Sequence, residues 1–337
     1  MGIIFLILFC SFSFSAFHSS IMSILLFVVI LALLIFIHEL GHFIAAKQAG
    51  IRVDEFGIGF PPRLWKKKVG ETVYSLNAFP IGGFVKIFGE NPDEESIHGK
   101  DKARSFVHKS KLAQVWVVSA GVVFNILLAW SFISAGFMVG LQYSADDSAY
   151  GKRVAAAELV ITQVLPHSPA ESAGLKSGDH IRELSAGKNI LKKPTVEDTQ
   201  KFIASHKEVF LTYARGSKTE TVIVRPQDGV VSDRRAIGIS MDMIGVLQLP
   251  TFEALYAGAI TTASLTWATT IGIADFLKSA FVGKADFSEI SGPVGIVGIV
   301  GDASALGISH LISLVALISI NLAVINLLPF PALDGGR

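Results

Sequence analysis

A metal-binding pattern inside an apolar segment constrains this chain more than any other feature. Residues 31–47 read LALLIFIHELGHFIAAK, in which His38, Glu39 and His42 form the pattern H-E-x-x-H. Residues four apart share one face of a helix, so both imidazoles can bind one metal ion, with the glutamate beside it as a general base. Residues 21–46 are otherwise almost wholly apolar and long enough to span a bilayer. The alternative is a polar cluster that holds helices together. A metal ion accounts better for these groups, which need a partner in hydrocarbon.

Composition indicates a protein with several membrane spans. Hydrophobic residues make up 51% of the chain, charged residues 17%, and the mean hydropathy is +0.53. These values predict a polytopic α-helical membrane protein with some soluble mass. The net charge of +1 gives no reason to expect a nucleic-acid partner. The single cysteine, Cys10, excludes an internal disulfide and a cysteine-based zinc site.

The first part of the chain predicts one span followed by a cytoplasmic segment. Residues 1–21 form an apolar extension whose first twenty residues include no Lys or Arg, which makes a poor signal peptide. It is either a loosely anchored extension or untranslated, with Met22 as the start, and we favour Met22. Residues 22–46 form the first span. Residues 47–111 contain twelve of the 29 Lys and Arg residues, so the positive-inside rule places them in the cytoplasm.

The cytoplasmic segment 47–111 predicts membrane-associated β-structure. Residues 56–62 read FGIGFPP, a Gly- and Pro-rich turn, and residues 72–76 and 84–88 read as short strands around residues 80–83. Such a hairpin can enter the bilayer only where protein or a water-filled cavity shields its backbone. Its free edge would then accept an extended substrate as an added strand. The alternative is a small cytosolic hairpin without that role.

A second span and a soluble domain follow. Residues 112–142 form the span, on which Gly121 and Asn125 stand four apart; helix packing is our first interpretation of this pair and a role near the metal the second. Residues 143–249 have a soluble, mixed α/β composition. Residues 160–164 predict a strand, and residues 168–179 read SPAESAGLKSGD, in which Ser-Pro predicts a helix start and Gly-Asp leads into a strand. This run resembles a PDZ domain. PDZ domains bind peptides or proteins by adding a strand to a sheet edge.

The last third predicts surface helices and a final span. The final span, residues 310–337, ends in the motif Leu333-Asp334-Gly335, and Asp334 is placed to be a third metal ligand. To reach the histidines this span must run inward, so residues 250–309 cross the membrane an even number of times. Zero crossings is simplest, which predicts extracytoplasmic amphipathic helices with a break at Ser291-Gly292-Pro293. A carboxylate beside the membrane without a metal is the alternative for Asp334.

Two prolines shape the end of the final span. Pro329 and Pro331 each remove a backbone donor, so the helix must open before Asp334. An open helix at membrane depth is tolerated where it lines a cavity. Asn326 is then available to bind the backbone of an extended substrate.

Five motifs occur in the order found in the site-2 protease family of intramembrane zinc metalloproteases. They are H-E-L-G-H, F-G-I-G-F, F-P-I-G-G-F-V-K, S-G-P and N-L-L-P-F-P-A-L-D-G-G. Together with the PDZ-like segment they resemble most closely the bacterial members that respond to envelope stress and cleave anti-sigma factors. The resemblance implies Zn²⁺ held by His38, His42 and Asp334, with Glu39 as the catalytic base.

The resemblance also implies a substrate path and a cellular setting. Asn326 and Pro329 would position substrate, and Gly82 and Gly83 in the re-entrant β-structure would guide it. The implied reaction is hydrolysis in or near the transmembrane segments of single-span proteins, within regulated intramembrane proteolysis, by a multi-pass protein of the bacterial inner membrane. Its partners would be those substrates, a ligand of the PDZ domain and the lipid bilayer. The PDZ domain would exclude substrates with bulky outer domains.

The sequence departs from the family pattern in two respects, and two other functions are possible alternatives to the predicted one. Some relatives have two PDZ domains where this chain has room for one, and the family continues beyond the L-D-G motif, so we expect the sequence ending at Arg337 to be truncated. One rival is a membrane-tethered protease with a cytosolic active site. The other is a catalytically inactive PDZ-bearing membrane scaffold, which need bind no metal.

Overall fold

The computed structural model describes residues 2–216, 218–231, 234–283, 292–331 and 333–336. It divides into two compact units: a membrane unit, Met1–Gly136 with Thr251–Arg337, and a sheet unit, Phe137–Pro250. The helices are α1 Gly2–Gln48, α2 Glu94–His98, α3 Lys111–Val139, α4 Pro169–Ser172, α5 Val196–Ser205, α6 Thr251–Phe281, α7 Pro293–Leu306 and α8 Ile308–Asn326. The strands are β1 Val53–Val69, β2 Thr72–Ile87, β3 Leu141–Ser144, β4 Ala155–Val164, β5 His180–Ala186, β6 Asn189–Lys192, β7 Val209–Arg215, β8 Lys218–Val224, β9 Gln227–Val231, β10 Arg234–Ala236 and β11 Ile239–Leu247.

Among the described residues, three helices are long and apolar enough to cross a membrane: Ile21–Gln48 within α1, α3 and α8. On α1, Ile30 and Leu34 are buried against Val300 of α7 and Val315 of α8. Toward its C-terminal end, α1 packs on α3 and on the strands that follow α1, through the cluster Ala45, Ala46, Ile51, Val53, Ile87, Val117 and Ala120. The two packing regions hold the H-E-x-x-H segment between them.

The β-structure formed by β1 and β2 is larger than the short hairpin predicted. Glycines and bulges divide β1 and β2 into segments, so residues 55–58 pair with 73–76 on one side and with 83–86 on the other, while 65–69 pair with 72–76. The predicted turn at 56–62 is right only in its second half: residues 56–58 are paired strand, and the chain reverses between residues 58 and 65, because 55–58 and 65–69 run in opposite directions along the same residues 73–76. Gly59 adopts φ +79°, which favours glycine, and thereby lets the strand bend without breaking. The two predicted short strands both fall largely within β2.

The region between residues 250 and 309 forms α6 and α7. Gly258 of α6 lies against Ser134 of α3, and Trp130 Nε1 donates a hydrogen bond to Leu255 O at 2.9 Å. Neither helix is among the three potential spans found in the described residues, and their predicted position on the outer leaflet stays a prediction. Of the predicted break, Ser291 lies outside the described residues, and Gly292 caps α7, whose first residue is Pro293.

The sheet unit is a seven-stranded antiparallel sheet in the order β3-β11-β4-β5-β7-β8, with β6 paired to β5. Its core includes Leu159, Ile161, Leu184 and Leu211. Three local predictions are confirmed: a strand over 160–164, a helix that begins at Ser-Pro, and a strand after Gly-Asp. Ser168 caps α4 by accepting a hydrogen bond from Glu171 N.

Candidate metal centre

His38 and His42 lie one turn apart on α1, with both side chains buried. The segment is rich in Leu, Ile and Ala without proline, which favours an uninterrupted helix. Their Nε2 atoms are 3.2 Å apart, and the ring centroids are 4.8 Å apart. The helix therefore presents two metal-ligating nitrogens to one point.

Asp334 completes the cluster from the other end of the chain. Its Oδ2 is 2.9 Å from His38 Nε2 and 3.2 Å from His42 Nε2. Tetrahedral ligands about 2.1 Å from a zinc ion lie roughly 3.3 Å from one another, so these spacings suit one ion. The three residues form the one potential metal site of this kind found within the described parts of the chain. The sequence motifs at residues 38–42 and 333–335 thus meet in a single site.

The turn after α8 places Asp334. The helix ends at Asn326, and Leu333 N donates to Phe330 O at 2.9 Å in the following turn. A Cβ at Gly335 would lie 2.3 Å from Leu327 O, and one at Gly336 would lie 2.0 Å from Phe330 O. The two glycines after Asp334 are therefore required for the chain to fold back tightly.

The two Nδ1 atoms face away from the cluster, and their partners show whether the site suits a metal. A histidine that binds a metal through Nε2 needs an acceptor for its Nδ1 proton. His42 Nδ1 donates to Val117 O at 2.8 Å, which leaves Nε2 free to bind an ion. His38 Nδ1 lies 3.2 Å from Asn125 Nδ2, while Asn125 Oδ1 is buried without a hydrogen-bond partner. Rotating that amide by half a turn, an assignment that heavy-atom positions do not fix, lets Nδ1–H donate to Oδ1. The orphaned oxygen is thus the acceptor that a zinc-binding His38 requires.

The α3 pair Gly121 and Asn125, interpreted from sequence first as helix packing, lies against the two histidines. A Cβ at Gly121 would come within 2.4 Å of His42 Nε2 and 2.6 Å of His38 Cε1. Gly41 on α1 is equally constrained, since its Cβ would lie 2.5 Å from Ala120 O. The second interpretation of the pair, a role near the metal, describes this geometry better.

Glu39 borders a cavity of about 190 Å³ together with His42, Asp334 and the last segment of β2. Gly83 lies in that segment, and a Cβ there would be 3.3 Å from Glu39 Cγ. Glu90, just after β2, also lines the cavity and was not identified from the sequence. Its signal was weak, because one glutamate in a polar loop resembles any solvated residue. The carboxylate of Glu39 thus has open space beside the ligands, as a general base needs.

The other predicted substrate-binding residues occupy different places. Asn326 lines a second cavity of about 410 Å³, which also borders Asp334 and Gly335. Gly82 is buried with φ +125°, and a Cβ there would meet Phe60 at 2.4 Å. Pro329 lies on the exposed turn after α8. Their roles toward substrate stay predictions.

Comparison with known proteins agrees with this site. The profile of the family described as "Peptidase family M50" matches residues 26–337. A Clostridium perfringens protein provisionally named as a zinc metalloprotease is 36% identical over 311 residues, covering 90% of this chain and 82% of its own. A Clostridium acetobutylicum protein with the same provisional name is 33% identical and covers 94% and 85%. Zinc metalloprotease RasP of Shouchella clausii is 31% identical and covers 94% and 88%.

Proposed function

The chain belongs to peptidase family M50, and on that premise we propose that this zinc metalloprotease cuts peptide bonds in or near transmembrane segments of single-span membrane proteins, such as anti-sigma factors, in regulated intramembrane proteolysis. One observation carries the proposal. His38, His42 and Asp334 converge where α1 is apolar enough to lie in a bilayer, so the chemistry belongs at membrane depth. We further propose a multi-pass location in the bacterial inner membrane, since the relatives are bacterial and three helices are long enough to cross.

The proposed mechanism assigns one task to each polar group. A zinc ion held by His38, His42 and Asp334 would act as a Lewis acid, which polarises the scissile carbonyl and lowers the pKa of the attacking water. Glu39 accepts the proton from the attacking water and passes it to the leaving amine. Val117 O and Asn125 fix the orientation of the two imidazoles by accepting their Nδ1 protons.

Substrate would enter as an extended strand. A peptide bond inside a helix has its carbonyl engaged, so the helix must unwind and its backbone needs new partners. The 83–87 segment of β2 pairs with β1 on one side and has no strand partner on the other within the described residues. It borders the Glu39 cavity, and Gly83 has no side chain to obstruct a strand added there. Asn326, beside Asp334, would bind the same backbone.

We propose that the sheet unit is a PDZ-type domain that binds a peptide or protein chain. Strand β11 pairs with β4 from Ile239 onward, but β3 covers β11 only at Ile244–Leu247. Within the part of the chain described, residues 239–242 therefore present one open edge. Helix α5 lies near this edge, since Ile203 and Met241 line the same small cavity. A strand added to β11 would lie between the sheet and α5.

The experiment is co-expression with tagged candidate single-span substrates, including an anti-sigma factor, comparing wild type with Glu39→Gln. We expect wild type to shorten a substrate, and Glu39→Gln to bind zinc but cleave about 10²–10⁴-fold more slowly. Glu94→Gln, on the exposed helix α2, is the matched control and should cleave normally. Full turnover by Glu39→Gln would remove Glu39 from the mechanism. A zinc-loaded wild type that cuts soluble proteins but no membrane-spanning one would reject the substrate class.

The rival functions are less favoured. A protease with a cytosolic active site needs its H-E-x-x-H in a polar helix beyond the span, whereas His38 and His42 lie inside Ile21–Gln48. A catalytically inactive scaffold has no need of a third ligand brought from residue 334 or of open space beside Glu39.

A further inference from the structure

The outer edge of the cytoplasmic sheet has an unusual surface. Residues 63–69, which read RLWKKKV and are called the basic edge below, lie on the side of the sheet opposite the 83–87 segment, and all seven are exposed. Arg63 pairs with Glu55 at 2.6 Å. Lys66, Lys67 and Lys68 form no ion pair with an acidic group in the described residues. The basic edge therefore presents three positive charges that the protein leaves uncompensated.

Large apolar side chains are exposed around the same charges. Leu64 is 68% exposed and Trp65 53% exposed. Trp65 pairs directly with Leu76, which is also exposed, so these two side chains share one face of the sheet. The exposed pair Phe60 and Phe79 extends the apolar surface.

That face continues into the first span. Tyr74 follows Leu76 two residues away on the same face, and its ring centroid lies 6.0 Å from that of Phe43 on α1. Phe56, paired with Tyr74, contacts Phe43 and Phe36 of the same helix. The apolar face of Trp65 thus extends sideways from the C-terminal half of a helix that is apolar enough to cross a membrane. Lys67, paired with Tyr74, lies on this face, and Lys66 and Lys68 alternate to the other, so all three charges flank the same edge.

We propose that the basic edge docks on the cytoplasmic leaflet, with Trp65 at the level of the lipid headgroups and Lys66–Lys68 binding anionic lipids. Tryptophan concentrates at the boundary between membrane and water, and this leaflet carries a negative surface potential that attracts lysines close to a span. Charge complementarity and continuity with α1 both indicate lipid as the occupant. Lysines that merely prevent pairing between sheet edges would not need an exposed Trp65 beside them.

The consequence concerns the whole sheet. One edge would be fixed on lipid, while the other, residues 83–87, lies beside Glu39. Anionic lipid would therefore set the position of the segment that borders the catalytic cavity.

The test measures the depth of Trp65 and needs no proteolysis, so it is independent of the proposed activity. The whole chain is reconstituted in vesicles of phosphatidylcholine, or of phosphatidylcholine with about one-third phosphatidylglycerol. Quenching of tryptophan emission by lipids brominated near the headgroup is recorded for wild type and Trp65→Phe. The difference isolates Trp65 from the other three tryptophans. We expect at least about twofold stronger quenching of Trp65 in the anionic vesicles.

Matched charge variants complete the experiment. Lys66→Gln/Lys67→Gln should abolish the dependence on anionic lipid, whereas Lys100→Gln/Lys102→Gln, with the same charge change on exposed residues of the same segment, should retain it. Equal quenching in the two kinds of vesicle would overturn the proposal. Full access of Trp65 to a water-soluble quencher would overturn it too, in favour of a protein partner.

Discussion

The membrane unit and the sheet unit differ in what they place at their centres. The sheet unit buries Leu159, Ile161, Leu184 and Leu211 together, as proteins in water do. The membrane unit exposes large apolar residues along α1, such as Met22, Leu25 and Val29, and buries polar ones between its helices. The buried polar set includes His38, His42, Asn125, Ser134 and Ser319.

The difference follows from the surrounding solvent. Lipid solvates apolar side chains as well as a protein interior does, so burying them between spanning helices yields little. Close contact and hydrogen bonds stabilise the helix interfaces instead, as where Gly41 lies against Ala120, and where Ser319 Oγ donates to Asn125 O at 2.8 Å. The membrane unit can therefore concentrate polar groups at its centre, where they stabilise the helix interfaces by pairing with one another.

Removing a zinc ligand should produce the largest effect and separate the units most clearly. His38→Ala leaves two ligands, so we expect the purified chain to lose bound zinc and all detectable cleavage, while the sheet unit stays folded. Metal analysis and far-UV circular dichroism measure the two results. His98→Ala, an exposed histidine on α2, is the control and should retain both. Stoichiometric zinc in His38→Ala would refute the proposed ligand set.

A cavity made in the core of the sheet unit should destabilise that unit and leave the bound zinc in place. Leu184 is fully buried, so Leu184→Ala should lower the free energy of unfolding of this unit by about 2–5 kcal/mol. Zinc content should not change, because every residue of the metal centre belongs to the membrane unit. Denaturant titration measures the loss. Ile190→Ala, at an exposed position of β6, should cost less than about 1 kcal/mol. An equal loss in the two variants would contradict the assignment of the core.

One methyl group added at Gly121 should show how much the metal centre depends on close packing of α3. Gly121→Ala places a Cβ against both imidazoles, so we expect zinc affinity to fall by about 10–100-fold. Competition with a fluorescent chelator measures the affinity. Gly272→Ala is the matched helical control in α6, where a Cβ would meet nothing within 4 Å. If both variants bind zinc as wild type does, the close approach of α3 is not needed by the site.

The smallest effect concerns the ion pairs that Glu71 forms between β1 and β2. Arg104 and Lys47 each hydrogen-bond Glu71 at 2.7 Å and lower the pKa of its carboxyl from 4.5 to about 2. Because the folded pKa is depressed, the stabilisation is present above about pH 4.5 and is lost as the pH falls toward 2. Glu71→Gln should cost less than about 1 kcal/mol at pH 7. Hydrogen exchange of the Thr72 amide, compared between wild type and variant at each pH, measures it. A larger difference at pH 3 than at pH 7 would contradict the sign.

Local sequence patterns predicted the spanning helices of the membrane unit and, in the sheet unit, β4, the start of α4 and β5. Long apolar runs without proline predicted the spanning helices, and Ser168-Pro169 predicted the start of α4, because capping and helix initiation depend on neighbouring residues. The β-region was harder. Gly and Pro predicted a turn over all of residues 56–62, but pairing on both sides holds residues 55–58 extended, so that the chain reverses only after Ile58.

Helical periodicity and hydropathy are local properties, so the amino-acid sequence was enough to predict an apolar helix with two metal ligands and a general base. The motif around Asp334 was enough to predict a third ligand. That Asp334 lies close to both imidazoles, that Gly121 and Asn125 pack against them, and that Glu90 lines the same cavity became known only from the folded chain. Those facts depend on how α1, α3 and the turn after α8 pack, and contacts between residues far apart in the chain leave no periodic signal in it.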